Sequence, residues 1–383
     1  MGSGRLSLTA ARERAAGVRV GVTSLFLANG AGWGAWAASI PGVKAGLALS
    51  DTELGAALLC VAGGAMLAMP LAGWLGAKHV KLLLTGTGIV FMLALPLPGL
   101  AANLPVLAGT LLLVGAGAGS MDVCMNARAS EVERRWGAAI MSSFHAAFSL
   151  GGLLGTGIVA LAAGLHWGVL GGLLVTALLL GACVASHLVL DPTQDLADRD
   201  RAARMSWPSK AAAGLGALCL LAFMSEGAVA DWSGVFLSQV AAFSPASSTT
   251  GLAAFSAAMV LARLGGDRVV RRFGRTGVLR MGGLGAAAGF LLAIAIPQAG
   301  PIGFGLVGLF AANMAPILFS AAGRAGPAAS TGVAAVATMG YAGMLLGPPV
   351  IGFLADHVGL RSALLLLVLG ALAIGLGARR ATR

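Results

Sequence analysis

Three carboxylates lie where carboxylates are costly. Asp122, Glu226 and Asp231 each sit inside a long apolar stretch of a 383-residue chain in which only 10% of residues are charged. Arg263 lies in the inner half of another such stretch, and His145 opens a further one. An ionisable group in hydrocarbon costs at least ~2.5–3.5 kcal/mol on insertion scales, so it faces a cavity or a partner. Glu226 has no charged residue within one turn on its own helix. Asp122 precedes Arg128 by about 9 Å of helix rise, so it pairs with that arginine, caps a helix end, or serves transport. Asn126 follows Asp122 by one turn and shares its face. Asp231 is nearer the outer end, where it is either solvated or part of the same chemistry. Arg263 and Asp267 stand at i,i+4, the spacing of a structural pair as well as of a ligand set. His145 is either a helix-start hydrogen bonder or a proton-relay member.

The chemistry these groups offer is proton transfer. Burial penalises the charged form of a carboxylate, so Asp122 or Glu226 could exchange protons near neutral pH. Water contact on one side of a membrane and then the other would load and unload that proton. Solute binding that depends on the protonation state then couples two fluxes. Asn29 and Trp33, four residues apart, place a hydrogen bonder and a ring on one helix face. Asn313 and Tyr341, the only tyrosine, are further candidate polar groups, or interhelical hydrogen bonders. Trp36, near an outer end, reads as an interfacial anchor. Cys60, Cys124, Cys183 and Cys219 fall in separate apolar segments and read as small packing residues, not as a metal or disulfide set.

The elements holding these residues follow from composition. Hydrophobic types make up 58% of the chain, whereas a soluble domain carries about 25% charged residues. A soluble enzyme, a disordered chain and a disulfide scaffold are excluded. Runs of about 20 apolar residues span a bilayer, and twelve are expected: 19–41, 54–77, 81–100, 104–126, 139–163, 167–190, 211–237, 250–268, 277–297, 301–322, 331–355 and 361–378. The fold class is therefore all-α integral membrane protein. The first apolar run is long enough to span and is not read as a cleaved signal. Of the 25 Lys and Arg, all but Lys44, Arg361 and Arg263 fall on one side if the N-terminus is cytoplasmic. That asymmetry sets the orientation and accounts for the net +11 without nucleic acid.

The polar stretch 191–210 divides the chain into six-span bundles at 1–190 and 211–383. The halves echo each other. Trp36 and Gly55 recur as Trp232 and Gly251, and Gly73, Lys78 and Lys81 fall opposite Asp267, Arg272 and Arg275. Parallel repeats joined by a linker imply a solute site between them.

With these features the chain resembles the major facilitator superfamily over its whole length. The stretch Gly73 to Lys81 resembles the family's signature between spans two and three, with Ala77 in place of its aspartate and Val80 in place of its second glycine. Asp267, Arg272 and Arg275 form the second-half copy, and the resemblance implies a gate there. Gly347–Pro348–Pro349 with Gly352 resembles the family's glycine-proline helix motif. The stretches 121–137, 142–155 and 226–233 are similar to the fucose-permease-like branch. That resemblance implies a proton-linked symporter of a small polar solute, a sugar or related metabolite, able to work as a monomer. A secondary active transporter of the inner membrane, cycling by alternating access with no cofactor, is the expectation. Proton-driven export of drugs or metabolites is the alternative.

Overall fold

In hydrocarbon every backbone N–H and C=O must be satisfied within the chain, and a helix satisfies them locally. The computed structural model describes residues 2–136, 140–191, 210–322 and 329–382, and among them there is no strand. Twelve helices follow in order: α1 (Gly2–Gly46), α2 (Asp51–Ala94), α3 (Leu104–Trp136), α4 (Met141–Gly164), α5 (Gly168–Leu190), α6 (Lys210–Gln239), α7 (Thr250–Ala295), α8 (Gly300–Ala311), α9 (Met314–Ala322), α10 (Ala329–Val358), α11 (Leu360–Ala363) and α12 (Leu365–Thr382). Most of the expected linker lies outside the described residues.

Among the described residues, ten stretches are long and apolar enough to cross a membrane. The expected spans 19–41 and 250–268 are helical too, within α1 and α7, but are not among the ten. Asn29 with four nearby glycines dilutes the first; the second includes Asp267, whose side chain lies outside the described residues. Two helices each hold two expected spans. In α7 the arms meet at Gly274, whose φ of 70° and ψ of 162° suit only a residue without Cβ. In α2 the helix runs on from 77 to 81 without a break.

The chain forms two compact units, Met1–Ser39 with Cys60–Asp200, and Ile40–Leu59 with Arg201–Arg383. Residues 40–59 join the second unit for physical reasons. The Asp356 carboxylate of α10 accepts the backbone N–H groups of Asp51 and Thr52, both at 2.9 Å, supplying the first turn of α2 with acceptors it would otherwise lack. Lys44 pairs with Asp51 at 2.9 Å. Gly55 lies against Pro348 and Pro349, and Gly352 against the Asp51 carbonyl, too closely for a side chain.

Phe26, Phe91 and Phe144 are fully buried in the first unit, and Trp232, Phe236, Phe290 and Phe304 in the second. Trp36 is 2% exposed and belongs to the first unit's core. The expectation of an interfacial anchor does not hold, because α1 is enclosed along this stretch. Its repeat counterpart Trp232 is equally buried.

Within the first unit, α1 and α4 approach backbone to backbone. A Cβ on Gly155 would lie 1.9 Å from the Ala31 carbonyl oxygen, and one on Gly34 would lie 2.1 Å from that of Gly152. Small residues allow this approach, and close packing is what holds membrane helices together. Gly155→Ala should therefore lower the melting temperature of the purified protein in detergent, through an overpacking cost of about 1–3 kcal/mol. Gly157→Ala, with nothing within 4 Å of the added atom, should leave it unchanged or raised. Equal effects at both positions would contradict the packing.

Candidate functional site

Glu226 on α6 and Arg263 on α7 come together in the second unit, an Oε2 of Glu226 standing 3.9 Å from a terminal guanidinium nitrogen. The pair is loose. Its separation exceeds hydrogen-bond length, and Glu226 Oε1 is buried with no partner. Arg263 Nε reaches the Ala312 carbonyl at 3.5 Å. That carbonyl is free because Pro316, four residues on, has no N–H to give it, and the chain turns out of helix between α8 and α9 at 312–313. Asn313 sits in the same break, its side-chain oxygen against the bare backbone of Gly266 one turn from Arg263. The spacing of Arg263 and Asp267 suggested a pair along α7. The structure places Glu226 of α6 beside Arg263, and the Asp267 side chain lies outside the described residues.

One turn before Glu226, the Phe223 ring meets Tyr341 of α10 edge-on at 5.7 Å and Phe319 of α9 at 6.0 Å. α10 is exposed on two faces. Leu346, Val350 and Phe353 lie roughly opposite Tyr341 and Met344 at about 100° per residue. The first face is apolar and suits lipid; the second carries the tyrosine. Arg263 lies about 130° round α7 from the middle of the exposed Leu261–Leu264 face. With 40% of its side chain exposed, its charge faces away from that lipid-suited side. Asp231, half-buried further along α6, has no hydrogen bond or ion pair among the described residues.

The first unit orders its polar groups along α3. Ala118, Asp122 and Asn126 occupy successive turns of one face. Asn29 Nδ2 of α1 donates to the Ala118 carbonyl at 3.2 Å, and its Oδ1 is buried without a partner. Asn126 Nδ2 donates to the Asp122 carbonyl at 2.9 Å and to its carboxylate at 3.2 Å. Trp33 is half-buried one turn beyond Asn29. His145 is exposed and stands edge-on to Phe26 at 5.4 Å.

Arg128 is not the partner of Asp122. It is buried, and it donates from Nε and a terminal nitrogen to the two carboxylate oxygens of Asp191, both at 2.7 Å. Its other terminal nitrogen donates to Glu131. Lys81, expected in the gate, donates to the Asp191 carbonyl. His187, one turn before Asp191, is fully buried, and neither ring nitrogen is bonded. In the second-half gate copy, the Arg272 guanidinium lies 5.8 Å from the Phe273 ring centre, and Arg275 is exposed just past Gly274. Lys78 and the surroundings of Gly73 lie outside the described residues. Asp191, Glu131, His187, Phe223 and Phe319 were missed by reading the sequence. Pro316 beside Asn313 was the readable sign of a freed carbonyl.

Helices alone among the described residues, ten apolar stretches long enough to span and charged groups held within the units make this a multi-span membrane protein. Its sequence matches the Major Facilitator Superfamily over residues 22–348, and the chain belongs to that family. It is 40% identical over 366 residues to an uncharacterized MFS-type transporter of Yersinia pestis, covering 94% of each chain. It is 34% identical to membrane protein MosC of Rhizobium meliloti, covering 90% of this chain and 85% of that one. In fold it is similar to a mutant of the nucleoside transporter NupG, with a TM-score of 0.81 at 14% identity over 96% of this chain and all of the other. A bacterial homolog of the human lysosomal transporter Spinster gives a TM-score of 0.75 at 15% identity, over 96% and 98%. The family, the Yersinia relative and NupG are transporters, not enzymes.

The two arginines should respond differently to removal. Arg128→Met removes the cation that two buried carboxylates share and should cost about 3–5 kcal/mol, read as a large fall in melting temperature. Replacing Asp191 and Glu131 by leucine in the same chain should recover much of it. Arg263→Gln, at a half-exposed and loosely held cation, should lower the melting temperature far less. A reversed order would contradict the geometry.

Proposed function

We propose that the protein is a proton-coupled secondary transporter of the inner membrane. It moves a small polar solute, a sugar or related metabolite, by alternating access, as its likeness to the fucose-permease-like branch suggests. The asymmetry of Lys and Arg supports cytoplasmic termini. The observation that carries the proton coupling is Glu226: a carboxylate within an apolar span, with one buried oxygen lacking a partner and one loosely held cation beside it. Such a group can accept a proton without breaking a tight network, and its cation then becomes available to solute. The freed Ala312 carbonyl holds Arg263 in reach, and the rings of Phe223 and Tyr341 offer an apolar surface next to the charges. Asp122 with Asn126, in the first unit, is a second place for a proton.

The test has two stages. Purified protein is first screened by thermal shift against a panel of polar metabolites at two pH values. A hit is then followed into proteoliposomes with an imposed pH gradient. Glu226→Gln should reduce gradient-driven accumulation at least tenfold while gradient-free exchange persists, because the amide mimics the protonated acid and cannot cycle. Accumulation unchanged in both Glu226→Gln and Asp122→Asn would refute proton coupling through these groups.

A further inference from the structure

We infer that the solute read by this site is a monoanion, a carboxylate held by the Arg263 guanidinium. The inference rests on Glu226 as the proton carrier and narrows the solute class. It starts from charge balance. Among the described residues, Glu226 on α6 faces Arg263 on α7; Asp231 stands about 7.5 Å further along α6, and α12 carries its charges, Arg379 and Arg380, at its end. α8 and α9 contain no charged residue, α10 bears Tyr341 here, and its acidic Asp356 lies at the far end beside α2. Asp267 follows Arg263 by one turn, with its side chain outside the described residues. With Glu226 ionised, the pair is neutral. A proton on Glu226 removes the carboxylate that faces Arg263 from α6, and a cation left without it within the membrane is expensive. A neutral solute would leave that place empty throughout the loaded step. A monoanion fills it, so Arg263 faces one negative charge there both before loading and after it.

The geometry favours the same answer. A guanidinium offers five N–H donors in a planar fork that matches a carboxylate bidentately. Arg128 uses its fork in just this way on Asp191, at 2.7 Å twice. Arg263 uses one N–H, at 3.5 Å, and stands 3.9 Å from Glu226. Its terminal nitrogens have no hydrogen-bond acceptor among the described residues, and its side chain is 40% exposed on the side away from the apolar face. A fork left empty and turned from lipid is the arrangement an incoming carboxylate completes. Arg263 is then a binding residue. Glu226 is the group the solute displaces, and it holds the proton that travels with it.

Calorimetric titration of the full-length protein in detergent tests this with matched probes: glycerate against glycerol, gluconate against glucitol, and benzoate against benzyl alcohol. The carboxylates stay ionised between pH 6 and 8, so any pH effect belongs to the protein. At least one carboxylate should bind at least tenfold more tightly than its neutral partner, and more tightly at pH 6 than at pH 8. Arg263→Gln should weaken it at least tenfold, and Arg263→Lys should keep part of the affinity. Glu226→Gln should keep carboxylate binding and lose its pH dependence, which serves also if Arg263→Gln fails to fold. Equal binding by neutral partners, carboxylate binding unaffected at Arg263, or no binding by any carboxylate would overturn the proposal. Arg263-dependent binding with no pH effect would instead uphold the monoanion and refute the proton reading of Glu226. Neutral partners binding with a pH effect that Glu226→Gln removes would do the reverse.

Discussion

The cost of an uncompensated charge in hydrocarbon shapes this molecule more than any single contact. It keeps charged residues to 10% of the chain and obliges each one in a span to find a partner or a watery face. The same solvent forces the backbone into helices, whose ends must borrow acceptors and donors from neighbours. Asp356 capping α2 is one such loan. Arg361 is another, donating to the carbonyls of Ile294 and Ala295 where α7 ends.

Two arginines show the two ways of meeting that cost. Arg128 is buried, with its fork filled by Asp191 and Glu131, and Lys81 tied to the same stretch of chain. The fork of Arg128 is filled, and its removal would mainly destabilise. Arg263 is half-exposed, faces a carboxylate beyond hydrogen-bond length, and leans on a carbonyl that Pro316 cannot satisfy. A saturated network suits structure; an unsaturated one suits a site that must change partners in each cycle. The membrane's penalty on charge makes that exchange specific, since any proton taken up by Glu226 must be balanced.

Much of this was legible in the chain. Apolar runs of spanning length announce helices whatever their neighbours, and so the fold class, the transporter family and the isolation of Glu226 on its own helix could be read directly. The partners could not. Asp122 with Arg128 is plausible from spacing along one helix, but Arg128 takes Asp191 from beyond α5, and Arg263 faces Glu226 on α6, a neighbour that spacing along α7 does not reveal. Pairing across helices depends on rotation and depth, which a sequence of leucines and glycines barely encodes. Trp36 misled for a related reason: a tryptophan near a span end reads the same whether the surrounding helices enclose it or leave it at the interface.

Proton counting during solute binding probes the central claim most directly. Calorimetry of one solute in buffers of different ionisation enthalpy gives the protons taken up per solute bound. The account predicts uptake approaching one proton in the wild-type protein above neutral pH, and none in Glu226→Gln. No uptake in the wild type, or the same uptake in the variant, would contradict it.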